Sequence, residues 1–488
     1  TEEHLWFPSV PLCLCPSVLS QFYRGQPAIV TSMMSGSDVS STELRRQVLK
    51  LALPAASEQV LSVLVNMVNT ALVGHLGASA LTAVGLSGTI TALASVFFGA
   101  VSTGGTALIA QAIGAKKPAL ANRVLGQALM VVATLGLLGA SVLLPFARQS
   151  LILMGAQGES VAMGVRYITC LAMAVPFTAL LMVGNAALRG SGDTRTPMTI
   201  MGGINLVNLA LSYLLIRGVG PLPALGVTGA GIAAAVANVT GALAVLTILM
   251  RGRGVLRLAN LVSQPDKAIL AQLLRIGLPA GGESLLMQFA FMIYARSISS
   301  LGTASYAAYI VAQRIESFST MPAFGFAAAA TTLSGQALGA GDPQRARRSV
   351  LEGVKIALCF SLCVAVCTWV FPRALAGLFT QDQQVIGLAI PPLRVVGFAQ
   401  PIMAVAFSLS GGLRGAGDTR STMVITGIGA WLVRVPLAIL SVTWLGWGLA
   451  GVQGSMMADW LTRALCYAWR FRPAMWAKRA AALVKTSA

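Results

Sequence analysis

Charged side chains are scarce in this chain. Only 10% of its 488 residues are Asp, Glu, Lys or Arg, against 56% hydrophobic. A soluble domain carries roughly 25% charged residues, so a water-soluble globule is excluded: too little polar surface is left to cover so much apolar surface. Histidine is nearly absent, with only His4 and His75. The seven cysteines are Cys13, Cys15, Cys170, Cys359, Cys363, Cys367 and Cys466, and they form no CxxC or Cys/His metal spacing. A disulfide framework, a zinc site and any bound metal or cofactor are therefore not expected. Cys359, Cys363 and Cys367 recur at four-residue steps, which predicts small apolar side chains at a helix contact. No DDxxD motif occurs. With one imidazole in the folded region, an intramembrane transferase lacks its catalytic groups, and the chain is not expected to be an enzyme.

Acidic residues are the scarcer charge. Lys and Arg number 34 against 15 Asp and Glu, a net charge of +19. The basic residues fall in short clusters between apolar runs, as in the cytoplasmic loops of membrane proteins. They form no stripe with interleaved aromatics, so no nucleic-acid partner is expected.

Apolar runs between Gly, Pro and charge punctuation predict spans near 49–73, 82–110, 124–144, 164–187, 198–217 and 227–250. A polar linker covers 251–270, and six more spans follow near 271–298, 306–335, 350–371, 386–411, 422–444 and 449–470. The reading is an all-α integral membrane protein of twelve transmembrane helices. Residues 1–42 are a poorly ordered extension, interrupted by Pro8, Pro11 and Pro16, with Met33 or Met34 a natural initiator; 43–250 is the first lobe, 271–472 the second, and 473–488 a basic tail. Clusters such as Lys116, Lys117 and Arg123, or Arg345, Arg347 and Arg348, lie on one side. That places both termini and the linker in the cytoplasm.

The two lobes are copies at a constant shift of 225 residues. Leu53-Pro54-Ala55 and Glu58 meet Leu278-Pro279-Ala280 and Glu283. Gln111-Ala112-x-Gly114-Ala115 meets Gln336-Ala337-x-Gly339-Ala340, and Pro176 meets Pro401. Leu188-Arg189-Gly190-x-Gly192-Asp193-Thr194-Arg195 meets Leu413-Arg414-Gly415-x-Gly417-Asp418-Thr419-Arg420. Six spans per copy insert both copies in the same orientation, with their pseudo-two-fold axis along the membrane normal and a cleft between lobes.

As a set at fixed spacing, these motifs resemble the multidrug and toxic compound extrusion (MATE) transporters, over about 49–470. The resemblance implies a V-shaped twelve-helix fold of two pseudo-symmetric six-helix lobes. It also implies a plasma-membrane antiporter that exports organic cations or amphiphilic drugs in exchange for H+ or Na+. A lipid-linked oligosaccharide flippase of the same superfamily is the competing expectation. The expected partners are a small-molecule substrate and membrane lipid, with the chain a monomer.

An intramembrane charge costs roughly 2.5–3.5 kcal/mol even on the gentler insertion scales, so each acid within a span needs a reason to be there. Glu58, Glu283, Glu316 and Asp459 are the candidate ion-coupling residues, with Glu283 principal and Glu316 its partner. Arg463 follows Asp459 by four and can pair with it along a helix. Arg314, Arg394 and Arg434 also lie in spans of the second lobe. Many family members carry an Asp where this chain has Asn69, and another after the Asn-x-x-Asn of span five, where Asn205 and Asn208 are followed by Ser212. Amides and hydroxyls hydrogen-bond but do not titrate near neutrality, which moves the expected coupling site to the second lobe. Met287, Phe291, Met292 and Phe318, with Asn69, Asn205 and Asn208, are expected to line the substrate cleft, since soft and aromatic surfaces receive varied cations. Arg189, Asp193, Arg195, Arg414, Asp418 and Arg420 form either a cytoplasmic latch between lobes or a pair of tight turns with topological anchors.

Overall fold

The computed structural model describes residues 40–218, 223–252, 254–258, 264–473 and 476. The predicted extension and basic tail therefore lie almost wholly outside the described residues. Among the described residues there are twelve long helices: α1 Ser41–Gly74, α2 Ala78–Gly114, α3 Pro118–Leu153, α4 Glu159–Gly190, α5 Arg195–Arg217, α6 Gly226–Arg251, α7 Lys267–Ser299, α8 Thr303–Gly339, α9 Pro343–Val370, α10 Gln383–Gly415, α11 Thr419–Thr443 and α12 Gly448–Arg470. A one-turn helix, Pro372–Gly377, lies between α9 and α10. Ten of the twelve are long and apolar enough to cross a membrane. The other two are α8, interrupted by Arg314 and Glu316, and α12, which carries Asp459 and Arg463.

The helices run several residues past the predicted spans because polar caps extend them toward the aqueous faces. Ser40 accepts from the Glu43 N–H at 3.3 Å, Asp266 from the Ala268 N–H at 2.9 Å, and Asp342 from the Arg345 N–H at 2.8 Å. The α4–α5 and α10–α11 corners turn at Gly192 (φ +93°) and Gly417 (φ +73°), a left-handed conformation that favours glycine. Prolines 54, 176, 279 and 401 sit inside helices, tolerated where neighbouring helices satisfy the freed carbonyls. Within α11 the backbone widens to a π-helix over Ile428–Arg434, a feature absent from the sequence reading.

Two large apolar cores divide the molecule, one built mainly from α2–α6 and the other from α7–α12. The halves also embrace each other. Val48, Leu51 and Ala52 of α1 bury against Phe326, Ala329 and Leu333 of α8. A Cβ on Gly104 of α2 would lie 2.8 Å from the Leu273 carbonyl of α7, and one on Gly325 of α8 would lie 2.6 Å from the Ala56 nitrogen of α1. These contacts occupy the linker-side ends of α1, α2, α7 and α8. Toward the opposite ends of α1 and α7, Leu61, Leu64, Val68, Phe289 and Met292 are exposed.

Cys359, Cys363 and Cys367 are exposed on α9. This corrects the expected helix contact: four-residue spacing fixes a common face without saying what that face meets.

Candidate functional site

Each half carries an intramembrane glutamate one turn beyond its proline, and in each an arginine from the end of the fourth helix reaches it. Glu58 Oε1 lies 2.9 Å from Arg189 Nη1, and Glu283 Oε1 lies 2.8 Å from Arg414 Nη2. Both carboxylates are buried. The pairs are separated by the same interval in sequence and related by the 225-residue shift. In the second half Thr422 and Thr426 also donate to Glu283, at 3.0 and 2.9 Å, and Tyr467 lies 3.1 Å from Thr426 Oγ1. In the first half the Ser62 hydroxyl returns to the Glu58 backbone carbonyl instead.

Asp193 and Asp418 cap the next helix. Asp193 accepts from the Thr196 N–H at 3.0 Å and Asp418 from the Ser421 N–H at 3.3 Å, while Arg470 approaches Asp418 at 3.3 Å. Arg195 and Arg420 are exposed at the helix starts. Contact between the halves is made instead by groups the sequence reading assigned no role. The Gln111 amide of α2 donates to the Gly415 carbonyl at 2.9 Å, and the Gln336 amide of α8 donates to the Gly190 carbonyl at 3.2 Å. Thr332 adds a bond to the Arg189 carbonyl at 3.0 Å. Where α2 and α8 cross, a Cβ on Gly114 would come within 1.9 Å of the Gln336 carbonyl oxygen, and one on Gly339 within 2.0 Å of that of Gln111. Only glycine permits this approach. Two of the arginines expected to latch the lobes, Arg189 and Arg414, turn inward to their own half, because a buried carboxylate attracts a guanidinium more strongly than a distant loop does. The signal was in the sequence: both glutamines repeat at the same shift as the arginines.

The remaining acids lie apart from Glu283. Asp459 is fully buried; Arg463 Nε binds it at 2.5 Å and Arg434 Nη2, from the π-helical stretch, approaches at 2.6 Å. The Arg434 guanidinium is also wholly buried, 4.9 Å from the Phe291 ring, and its nitrogens make no aligned hydrogen bond. Glu316 receives the Gln453 amide at 3.5 Å, and Gln453 in turn accepts from the Tyr294 hydroxyl at 2.9 Å. Among the described residues no arginine lies within ion-pair distance of Glu316. Among the described residues Glu283 and Glu316 share no bonding partner. Nor are all four arginines of the second lobe interior: Arg314 and Arg394 are exposed, and Arg394 lies over Trp369 at 5.9 Å.

The expected cleft residues also separate. In the first half Asn69 donates to Asn208, and both lie beside buried Asn205 and Ser212 of α5. Asn69 Oδ1 and Asn205 Nδ2 have no protein partner. Met287 and Phe291 turn toward Arg463 and Arg434, whereas Met292 is 68% exposed; Phe318 is half-buried on α8. Among the described residues no group of three or more His, Cys, Asp or Glu could hold a metal ion.

Two repeated six-helix halves that meet through polar bonds and carry paired acids inside apolar helices define a membrane transporter. The MatE family model matches residues 54–214 and 279–440, one match per half, and the chain belongs to that family of transporters. A probable multidrug resistance protein NorM of Thermotoga maritima is 32% identical over 439 residues, covering 90% of this chain and 94% of the relative. A NorM of Pseudomonas aeruginosa is 30% identical over 92% of this chain and 94% of the relative. A solved MATE transporter in complex with MaL6 superimposes with a TM-score of 0.83 at 25% identity, covering 92% of this chain and all of the other. The protein is thus a multi-pass membrane transporter of small organic molecules with the two-lobed fold of its family, and not an enzyme.

Proposed function

We propose that the protein is a secondary active antiporter that exports organic cations and amphiphilic drugs in exchange for H+ or Na+ by alternating access. The observation that carries this reading is the placement of the contacts between halves at the linker-side ends. Such a molecule is closed toward one face, and rocking of one lobe (43–250) against the other (271–472) opens that face and closes its opposite. The basic clusters put the closed face, both termini and the linker in the cytoplasm of a plasma-membrane protein acting as a monomer.

Glu58, Glu283, Glu316 and Asp459 supply the coupling. Each lies inside an apolar helix with a guanidinium or amide partner, with which a proton or sodium ion competes. One ion moved inward through 100 mV contributes about 2.3 kcal/mol, enough to sustain about a fifty-fold gradient of uncharged cargo. Exposed Met292 and half-buried Phe318 give amphiphiles an apolar surface, and the amides of Asn69, Asn205 and Asn208 give them hydrogen-bonding groups. The naming of the two NorM relatives as multidrug resistance proteins supports drug-like cargo over a lipid-linked oligosaccharide.

Reconstituted proteoliposomes test the reading. Ethidium movement driven by an imposed pH or Na+ gradient, lost in Glu283→Gln, is the expected result; no flux under either gradient refutes it.

A further inference from the structure

We propose that the Glu58–Arg189 and Glu283–Arg414 pairs are twin proton sites that control the cytoplasmic closure through the backbone of the arginines themselves. The inference rests on the exporter reading and specifies how ion binding reaches the gate. In the first half, the arginine that neutralises Glu58 also presents the carbonyl that accepts from Thr332, and the next carbonyl, of Gly190, accepts from Gln336. In the second half Arg414 neutralises Glu283, and the next carbonyl, of Gly415, accepts from Gln111. Ion pair and cross-half bond are therefore adjacent in the chain in both copies, at the end of α4 and the end of α10.

The charged and titratable groups facing each site are few. Among the described residues Glu58 pairs with Arg189 and no other ionic group, while Glu283 meets Arg414, with Thr422, Thr426 and, behind them, Tyr467. A proton taken from water converts the carboxylate to a neutral acid, and the guanidinium, still charged, loses its counter-ion. An unpaired guanidinium in a half-buried site is drawn toward water and headgroups. Its movement shifts the helix end that holds the acceptor carbonyl, so the amide–carbonyl bonds and the glycine-tight crossing of α2 and α8 release together. Deprotonation restores both. The two sites are not equal: two hydroxyls hold Glu283 in addition to Arg414, whereas at the first site Thr332 adds a second bond across the halves.

The test is a distance measurement on the full chain in nanodiscs, with spin labels at Lys117→Cys and Gln344→Cys, both exposed beyond the α2–α8 crossing, and all native cysteines replaced by serine. Glu58→Gln/Glu283→Gln, which copies the protonated acids, is expected to lengthen the linker-side distance by on the order of 5 Å and to abolish its response to pH. Gln111→Leu/Gln336→Leu is expected to lengthen it at every pH with both ion pairs intact. An unchanged distribution in the Glu variant, or one that still follows pH as the parent does, overturns the proposal. The measurement needs no transport. If the distance responds while imposed gradients drive no cargo, export fails and the switch stands; if cargo moves and the distance ignores the Glu variant, the switch fails alone.

Discussion

A carboxylate buried beside its own arginine is destabilised more by losing the partner than by losing its own charge. Arg414→Gln leaves Glu283 buried without its cation, whereas Glu283→Gln keeps an oxygen for Thr422 and Thr426. We expect Arg414→Gln to lower stability by about 3 kcal/mol and Glu283→Gln by about 1 kcal/mol, read as denaturation midpoints in detergent. The opposite order would show that the pair is not held as the structure places it. Asn69→Ala should cost about 1–3 kcal/mol, because Asn208 then loses its donor inside the apolar bundle. Asn69→Asp, with the same shape, should add a second pH-dependent step to ligand-binding titrations, which the parent amide at this position cannot supply. The acids at 58, 283, 316 and 459 stood out from the sequence because charge in an apolar run is costly. Arg463, four residues after Asp459, was legible as its partner, but those of Glu58 and Glu283 were not: Arg189 and Arg414 sit far away along the chain, at helix ends where a basic residue is ordinary, and nothing in local pattern says that they turn inward. Arg434 was visible as a charge in a span, but its approach to Asp459 depends on the π-helical register of Ile428–Arg434.

At the scale of helices, the crossing of α2 and α8 is set by absent side chains. A methyl on Gly339 would stand 2.0 Å from the Gln111 carbonyl oxygen, which is backbone and cannot swing aside. We expect Gly339→Ala to separate the two helices, lower the melting temperature and leave the linker-side ends permanently more reactive to thiol reagents; Gly335→Ala, which meets the Ala110 methyl at 2.8 Å, should do so more weakly. The positions of all twelve helices were legible in the sequence, because hydrocarbon demands long apolar runs and the linker-side turns are marked by Gly-x-Gly-Asp-Thr-Arg. Helix ends were less so, since caps such as Asp266 and Asp342 lie among polar residues that also suit a loop. Which helix faces inward was hidden where small residues surround the chain on every side, as in α8.

At the scale of the whole molecule, duplication at a constant shift made the two-lobed plan readable from letters alone: each lobe repeats the same proline, acid, glutamine and arginine. The proposed cytoplasmic placement of the face where the halves meet rests on charge. Lys267→Cys should react with a charged maleimide added from the cytoplasm only, and Gln157→Cys, in the loop between α3 and α4, from outside only. Reversal of the two would place the closed face outward and turn the export direction around. Symmetry also sorts the buried charges into two kinds. The glutamate–arginine pairs and the glutamine–carbonyl bonds occur twice, whereas the Arg434, Asp459 and Arg463 cluster has no first-half counterpart.

The three sulfur atoms of α9 carry a practical consequence. Cys359, Cys363 and Cys367 are exposed along the second half of α9, a helix long and apolar enough to cross a membrane, so acyl chain is the medium expected around them. Oil-soluble alkylating probes will decorate that ladder while ionic ones pass it by, giving a built-in gauge of how deeply the protein sits among its lipids.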